Sequence, residues 1–234
     1  MTMTLYNHAA IWDDHDHMPR SFFTNGYALL NNAPMSKSKG NFLTLSEGCD
    51  EYSADGTRIA LADAGDTLGD GNFRTDNANA ALLKLWNLGD FIEKYIGEGG
   101  LIDPATVDPS KYVESQDTFD AMFDNEINRL IISTEKYFEQ MKFKMALKDG
   151  FHEPINVRDT YINMKKGELN PNMLLRFFHV QLLMLSPFAP HFCDYYWRKF
   201  FLTFSAKVPN HDTSLFKDTV IGSPWPQPYR EYDK

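Results

Sequence analysis

Tyr27-Ala28-Leu29-Leu30-Asn31-Asn32-Ala33-Pro34-Met35-Ser36-Lys37-Ser38-Lys39-Gly40-Asn41 is the stretch from which the rest of the 234-residue chain can be read. Tyr27 to Leu30 form a short apolar run, which predicts a buried strand. Asn31, Asn32 and Pro34 forbid its continuation, so a loop must follow. Inside that loop Lys37 is flanked by the hydroxyls of Ser36 and Ser38, with Gly40 close behind. A compact ammonium, two hydroxyl donors and a glycine that lets backbone N–H groups approach closely suit a polyphosphate. Basic and hydroxyl residues also cluster in ordinary solvated loops, and residue types alone leave that alternative open.

Downstream, Thr44-x-x-Glu47 has capping-box spacing and predicts a helix start. Ser53 is placed to cap a second helix running through Ala64, with Gly65 to end it. Asp55 and Arg58 are spaced i, i+3 on that helix and predict a surface ion pair of little energetic weight. Asp63, Asp66, Asp70 and Asp76 alternate with Gly65, Gly69 and Gly71, but the glycines do not fall where a calcium loop needs them, so a connector is expected. Upstream, Thr24-Asn25-Gly26 predicts a turn. Asp13-Asp14-His15-Asp16-His17 mixes carboxylates and imidazoles consecutively, without ligand spacing, and predicts a solvated loop. The chain opens on Met3, Leu5, Tyr6, Ala9, Ala10, Ile11 and Trp12 with no capping residue before them, as if a structural element were entered partway.

From Asn77 onward a helical period dominates. Ala78, Ala81, Leu82, Leu85, Trp86, Leu88, Ile92 and Tyr95 define one apolar face that ends at Gly97. Residues 97–117 are rich in Gly, Pro, Asp and Ser and predict a loop. A second helix is expected near Thr118 to Met141, burying Phe119, Met122, Phe123, Ile127, Leu130, Ile131 and Phe138. A third covers about Lys142 to Lys166, kinked at Pro154. A fourth starts at Pro171 and runs to Leu185, its aromatic residues serving as core, and a last helical segment spans His191 to Phe204. Together these predict an antiparallel helical bundle.

The chain's 43% hydrophobic and 14% aromatic residues are ample for a core. The two cysteines, Cys49 and Cys193, form no CxxC pair, so neither a disulfide framework nor a structural zinc is expected. Neither a signal peptide nor a membrane span is legible, because the most apolar stretch, Leu174 to Trp197, is broken by Arg176, His179, Pro187 and Pro190. A cytoplasmic protein is expected. The net charge of −9 argues against indiscriminate nucleic-acid binding. The charge is uneven, however: residues 1–128 hold 8 Lys/Arg against 21 Asp/Glu, and residues 129–234 hold 15 against 11. Any phosphate backbone should meet the second part, with Arg129, Lys136, Lys142, Lys144 and Lys148 as candidate contacts.

Met35-Ser36-Lys37-Ser38, continuing as Gly40-Asn41-Phe42-Leu43-Thr44-Leu45, resembles the KMSKS loop of class I aminoacyl-tRNA synthetases. Ser53 to Thr67 is similar to the cytosolic eukaryotic and archaeal leucyl-tRNA synthetases. Phe143-Lys144-x-Ala146-Leu147-Lys148-x-Gly150-Phe151, Pro187-Phe188-Ala189-Pro190-His191 and Ser223-Pro224-Trp225-Pro226 resemble their anticodon-binding domain. The resemblance implies a mostly α chain: the end of a Rossmann-type catalytic domain over residues 1–70, a helical anticodon-binding bundle over 71–228, and a tail at 229–234. It implies ATP with Mg2+ as substrate, bound by Met35, Ser36, Lys37 and Ser38, with no metal held by the protein. Leucine and a leucine-specific tRNA would be the other partners, with no membrane involved. It also gives the Ser53–Ala64 helix, with Arg58, an orienting role beneath the catalytic loop and against the tRNA.

In that family the leucine carboxylate attacks the α-phosphorus of ATP, and Lys37 would stabilise the departing pyrophosphate as the catalytic residue. Two departures stand out. Pro34 replaces the first lysine of the motif, and no HIGH-type histidine motif, leucine pocket or editing domain is present. The expectation is therefore the KMSKS-side half of a leucine–tRNA ligase site on a tRNA-binding bundle. A non-catalytic binding module is the alternative.

Overall fold

The computed structural model describes residues 2–12, 14–22, 24, 26–96, 99–103, 107, 117–202 and 218–228. Two units of different character follow from two apolar patterns. Near the start a three-stranded sheet forms, β1 (Ala28–Leu30), β2 (Ala33–Pro34) and β3 (Gly71–Phe73), in the order β2-β1-β3. Asn31 and Asn32 both take positive φ (51° and 68°), the backbone of a two-residue hairpin turn that asparagine tolerates. The expected loop after Leu30 is thus a hairpin, with Leu29 opposite Pro34 and Leu30 opposite Ala33. Pro34, which has no N–H to donate, sits on the edge strand. β3 runs parallel to β1, Leu30 opposite Phe73, where only a connector was expected. The predicted buried strand is buried only at Leu30, and Tyr27 is exposed.

Between β1 and β3 runs α2 (Leu45–Ala64), long enough to make the parallel crossover. Thr44 and Glu47 form the predicted capping box: Glu47 N–H donates to Thr44 Oγ1 and Thr44 N–H to Glu47 Oε2. The Thr44 hydroxyl, which donates to Glu47 Oε2 at 2.7 Å, and the Thr44 amide hold the Glu47 carboxyl below its ordinary value. α2 breaks at Ser53 (φ 60°), whose Oγ then accepts from Gly56 N–H at 3.1 Å and caps the second half, as its position predicted. Thr57 Oγ1 donates across the break to the Gly48 carbonyl at 2.8 Å, locking the two halves together. This second half has two buried faces. Ala60 joins Leu30, Tyr52, Phe73 and Ala78 in a small core, whereas Ile59 joins the large one.

That large core belongs to a bundle of α3 (Thr75–Tyr95), α4 (Thr118–Glu139), α5 (Phe143–Leu147), α6 (Glu153–Lys165), α7 (Pro171–Leu185) and α8 (Pro190–Tyr196). α7 is its axis: every residue from Met173 to Leu185 is buried, and Asn170 caps it just before Pro171. Burying Arg176 there requires a partner, and Asp124 and Asn128 of α4 supply it. The helix faces are narrower than the apolar pattern suggested. Trp86, Phe119 and Met122 are exposed, and the contacts are made by Ala81, Leu85, Leu88, Phe123, Ile127 and Ile131. The break expected at Pro154 takes a definite form. Residues Lys148–His152 widen into a π turn, in which Glu153 N–H donates to the Lys148 carbonyl. Pro154 cannot donate to Gly150, and the Gly150 carbonyl accepts from Gln181 Nε2 of α7 at 2.8 Å instead. A Cβ on Gly150 would lie 3.1 Å from Thr134, so glycine is what allows this close approach to α4. A second π turn, Trp197–Phe201, extends α8. At the N-terminus α1 (Thr2–Ile11) buries no residue.

Candidate functional site

Met35 leaves the hairpin at the sheet edge, and the chain then closes on itself. Ser36 and Asn41 pair as an isolated antiparallel bridge, with Ser36 N–H donating to the Asn41 carbonyl at 2.8 Å and Asn41 N–H returning to Ser36 at 3.2 Å. Between them Lys37–Lys39 form a single 3-10 turn, ended by Gly40 in the left-handed region (φ 69°). Asn41 Nδ2 donates back to the Pro34 carbonyl at 3.2 Å and ties the turn to the hairpin. The turn is therefore held at its base while its crown is solvent-facing. Ser36 Oγ and Ser38 Oγ lie 3.1 Å apart, and Lys37, Ser38 and Lys39 are exposed. Two hydroxyls and two ammonium groups on one short turn form a donor set that fits the oxygens of a polyphosphate. Lys39 was not singled out from the sequence, because it lies just past the Ser-Lys-Ser core; its place on the same turn is what brings it in.

The floor of this unit is the second half of α2, and two of its charged side chains clamp it to the α7–α8 corner of the bundle. Asp55, 5% exposed, accepts from Phe192 N–H at 2.7 Å and from His191 N–H at 3.4 Å, the first free amides of α8. His191 Nδ1 also lies 3.0 Å from Asp55 Oδ1, with its side chain 78% exposed. One turn on, Arg58 Nη2 donates to the Pro187 carbonyl at 2.7 Å and Nε to Phe188 at 3.2 Å. An acid therefore caps the positive end of α8, and a base caps the carbonyls that leave α7. Asp55 and Arg58 do not form the expected pair with each other. Nothing local in the sequence marks these bonds, which join residues 129 to 137 positions apart.

The nucleic-acid candidates fall on α4, at the start of α5 and in the π turn that follows it. Arg129 is engaged by Glu126 at 2.9 Å, and Lys148 lies 3.9 Å from Glu153. Lys136, Lys142 and Lys144 are exposed; Lys142 Nζ donates to Gln140 Oε1, and Lys144 uses its backbone N–H to reach Asp66 Oδ2 at 3.1 Å. In the Asp13–His17 run, His17 lies 3.6 Å from Asp14, and among the described residues no group of three His, Cys, Asp or Glu could hold a metal ion. Both cysteines are free, Cys193 fully buried. No described helix is long and apolar enough to cross a membrane.

Comparison with known proteins follows the same two units. A family model for class I tRNA synthetases (M) matches residues 4–93, and a model for the anticodon-binding domain of tRNA ligase matches residues 120–234. The chain is 40% identical to the cytoplasmic leucine–tRNA ligase of Pongo abelii over 224 residues, 95% of this chain and 17% of that protein. It is 38% identical to the corresponding protein of Saccharomyces cerevisiae over 199 residues, 85% of this chain and 17% of that one. Among solved structures, an Agrobacterium radiobacter LeuRS in ternary complex with tRNA and LeuAMS superposes with a TM-score of 0.61. That match covers 88% of this chain and 24% of the other at 18% identity, so it speaks for the fold alone. The chain thus spans about a sixth of the length of the curated relatives it matches.

Proposed function

The chain belongs to the class I aminoacyl-tRNA synthetases of the leucyl type, and from that premise we propose that it works as the ATP-loop and tRNA-binding part of a leucine–tRNA ligase in the cytoplasm. The observation that supports this most directly is the Lys37–Lys39 turn, tied at its base and presenting two hydroxyls and two lysines outward. ATP enters with Mg2+ as substrate. Lys37 carries the charge stabilisation as pyrophosphate departs, and Ser36 and Ser38 fix the phosphate oxygens. Met35, 39% exposed where the hairpin ends, lies against the nucleotide beside them. Pro34 cannot supply the first lysine of the motif, and Lys39 contributes the second positive charge from the far end of the turn.

The bundle serves as the tRNA platform. Lys136, Lys142, Lys144 and Lys148 meet the phosphate backbone, with Arg129 beside them. Arg58 acts differently from a phosphate contact: its guanidinium holds the joint between the loop unit and the bundle. We divide the function near residue 70, the small sheet and α2 presenting ATP and the helices beyond presenting tRNA. The leucine pocket is not assigned to any residue of this chain.

The test is leucylation of tRNA by the native protein purified from its own cells, followed with labelled leucine and ATP. Formation of leucyl-tRNA, lost on Lys37→Ala, is the expected result. Tight tRNA binding with no leucylation would replace this proposal with the binding-module reading that Pro34 favours.

A further inference from the structure

Where the end of α2 meets the corner between α4 and α5, the surface opens into a groove of about 420 Å³. Its size falls in the range of roughly 300–1,000 Å³ typical of small-ligand sites. The walls are Leu61, Phe138, Phe143 and Phe188, and Arg58 and Asp66 lie among them. Phe138 stacks on Phe188 at 5.2 Å and meets Phe143 edge-on at 6.3 Å, so the three rings hold one another in place. Phe143 is 39% exposed and presents ring surface to solvent. Arg58 is already committed to the Pro187 and Phe188 carbonyls. Asp66 is fixed by the Lys144 amide, and a carboxylate only accepts hydrogen bonds, so it selects a ligand that donates.

The charge around the opening decides the occupant. Phe143 is bracketed in sequence by Lys142 and Lys144, both exposed, at the first turn of α5. A flat apolar slot, one acceptor and two flanking cations are the chemistry of a nucleobase presented from a phosphate backbone. We propose that this groove receives a single unstacked nucleobase bearing an exocyclic amine (adenine, cytosine or guanine) of the bound tRNA. The base lies against Phe143, its amine donates to Asp66, and the phosphates on either side meet Lys142 and Lys144. The proposal rests on the tRNA-binding reading above and adds to it a specific contact that backbone electrostatics alone does not require.

The experiment uses the whole chain and unfractionated tRNA from the same organism, with binding followed by fluorescence anisotropy across a salt series. Phe143→Leu should weaken binding about tenfold and leave the salt slope unchanged, because no charge is removed. Lys144→Ala should lower the slope by about one. A photo-crosslinking amino acid at position 143 should map to one unpaired A, C or G. A circular-dichroism melt shows whether each variant is folded, and Asp66→Asn, which keeps an acceptor for the Lys144 amide, supplies a second perturbation at the same groove. If the unaltered chain binds tRNA while Phe143→Leu and Asp66→Asn bind equally well, or the crosslinks fall in paired stems, the groove assignment is overturned and the platform reading stands. If the unaltered chain does not bind tRNA, both fall.

Discussion

Replacing Asp55 by alanine should loosen the joint between the Lys37–Lys39 loop unit and the bundle by an amount the geometry sets. Three contacts are lost, but they do not weigh equally. The 3.4 Å approach of His191 N–H is too long to contribute much. The imidazole contact is on a side chain 78% exposed and contributes less than about 1 kcal/mol. The 2.7 Å bond from Phe192 N–H to a carboxylate with 5% exposure dominates. A charge-assisted bond of that kind contributes roughly 1.5–3 kcal/mol, and loss of a helix cap costs roughly 0.5–2 kcal/mol. Asp55→Ala should therefore destabilise the chain by about 2–3 kcal/mol. Asp55→Asn, which keeps an acceptor but not the charge, should cost about half as much. His191→Ala should cost under about 1 kcal/mol. Equilibrium urea unfolding, read as a shift in midpoint at constant slope, measures all three. If His191→Ala costs as much as Asp55→Ala, the exposed ring and not the amide cap holds the joint, and the reasoning fails.

Gly89 has no room for a side chain, since a Cβ there would lie 2.2 Å from Tyr196 Oη and 2.8 Å from Cζ. Gly89→Ala should cost about 1–3 kcal/mol, and adding Tyr196→Ala should recover part of that loss in the same unfolding assay. The carboxyls of Asp117, bonded by the Asp120 amide and Lys165, and of Glu47 are both held below their ordinary values. Their contribution is complete above about pH 5 and disappears as pH falls through the lowered values. Asp117→Asn with Glu47→Gln should accordingly flatten the acid side of a Tm-against-pH curve; an unchanged acid limb counts against it. In leucine-dependent pyrophosphate exchange by the native protein, Lys37→Ala should lower kcat by about 10²–10³ with little change in KM for ATP. A raised KM for ATP with kcat unchanged would place Lys37 in ground-state binding instead.

Local chemistry was readable wherever a residue acts on its sequence neighbours. The Thr44–Glu47 box, the Ser53 cap and the Pro171 start each work within one helical turn, the apolar length of α7 repeats along a single helix, and all appear as expected. Two asparagines could be read as the end of a strand and the start of a loop, but the reversal that pairs Ala33–Pro34 with β1 depends on a register that only the assembled sheet defines. β3 is three residues long and pairs with a strand about forty positions earlier, leaving no periodicity to detect. Apolar period overstated the buried faces at Trp86, Phe119 and Met122, because a helix can carry more apolar surface than its neighbours cover. At the candidate site, the Ser-Lys-Ser types were legible, whereas Lys39 and Asp55 gained their places only through the turn and through α8.

The π turns at Lys148–His152 and Trp197–Phe201 bear on how this chain can change length. Each packs one residue more into its turn than an α-helix would. Losing one residue within Lys148–His152 would let the backbone revert to even α pitch, with α5 and α6 keeping the sides they now show to α4. Gaining one residue in the regular part of α7 would instead rotate everything after it by about 100° and turn buried positions toward water. A single-residue loss in either π turn should thus disturb helix register less than the same loss inside the regular helices.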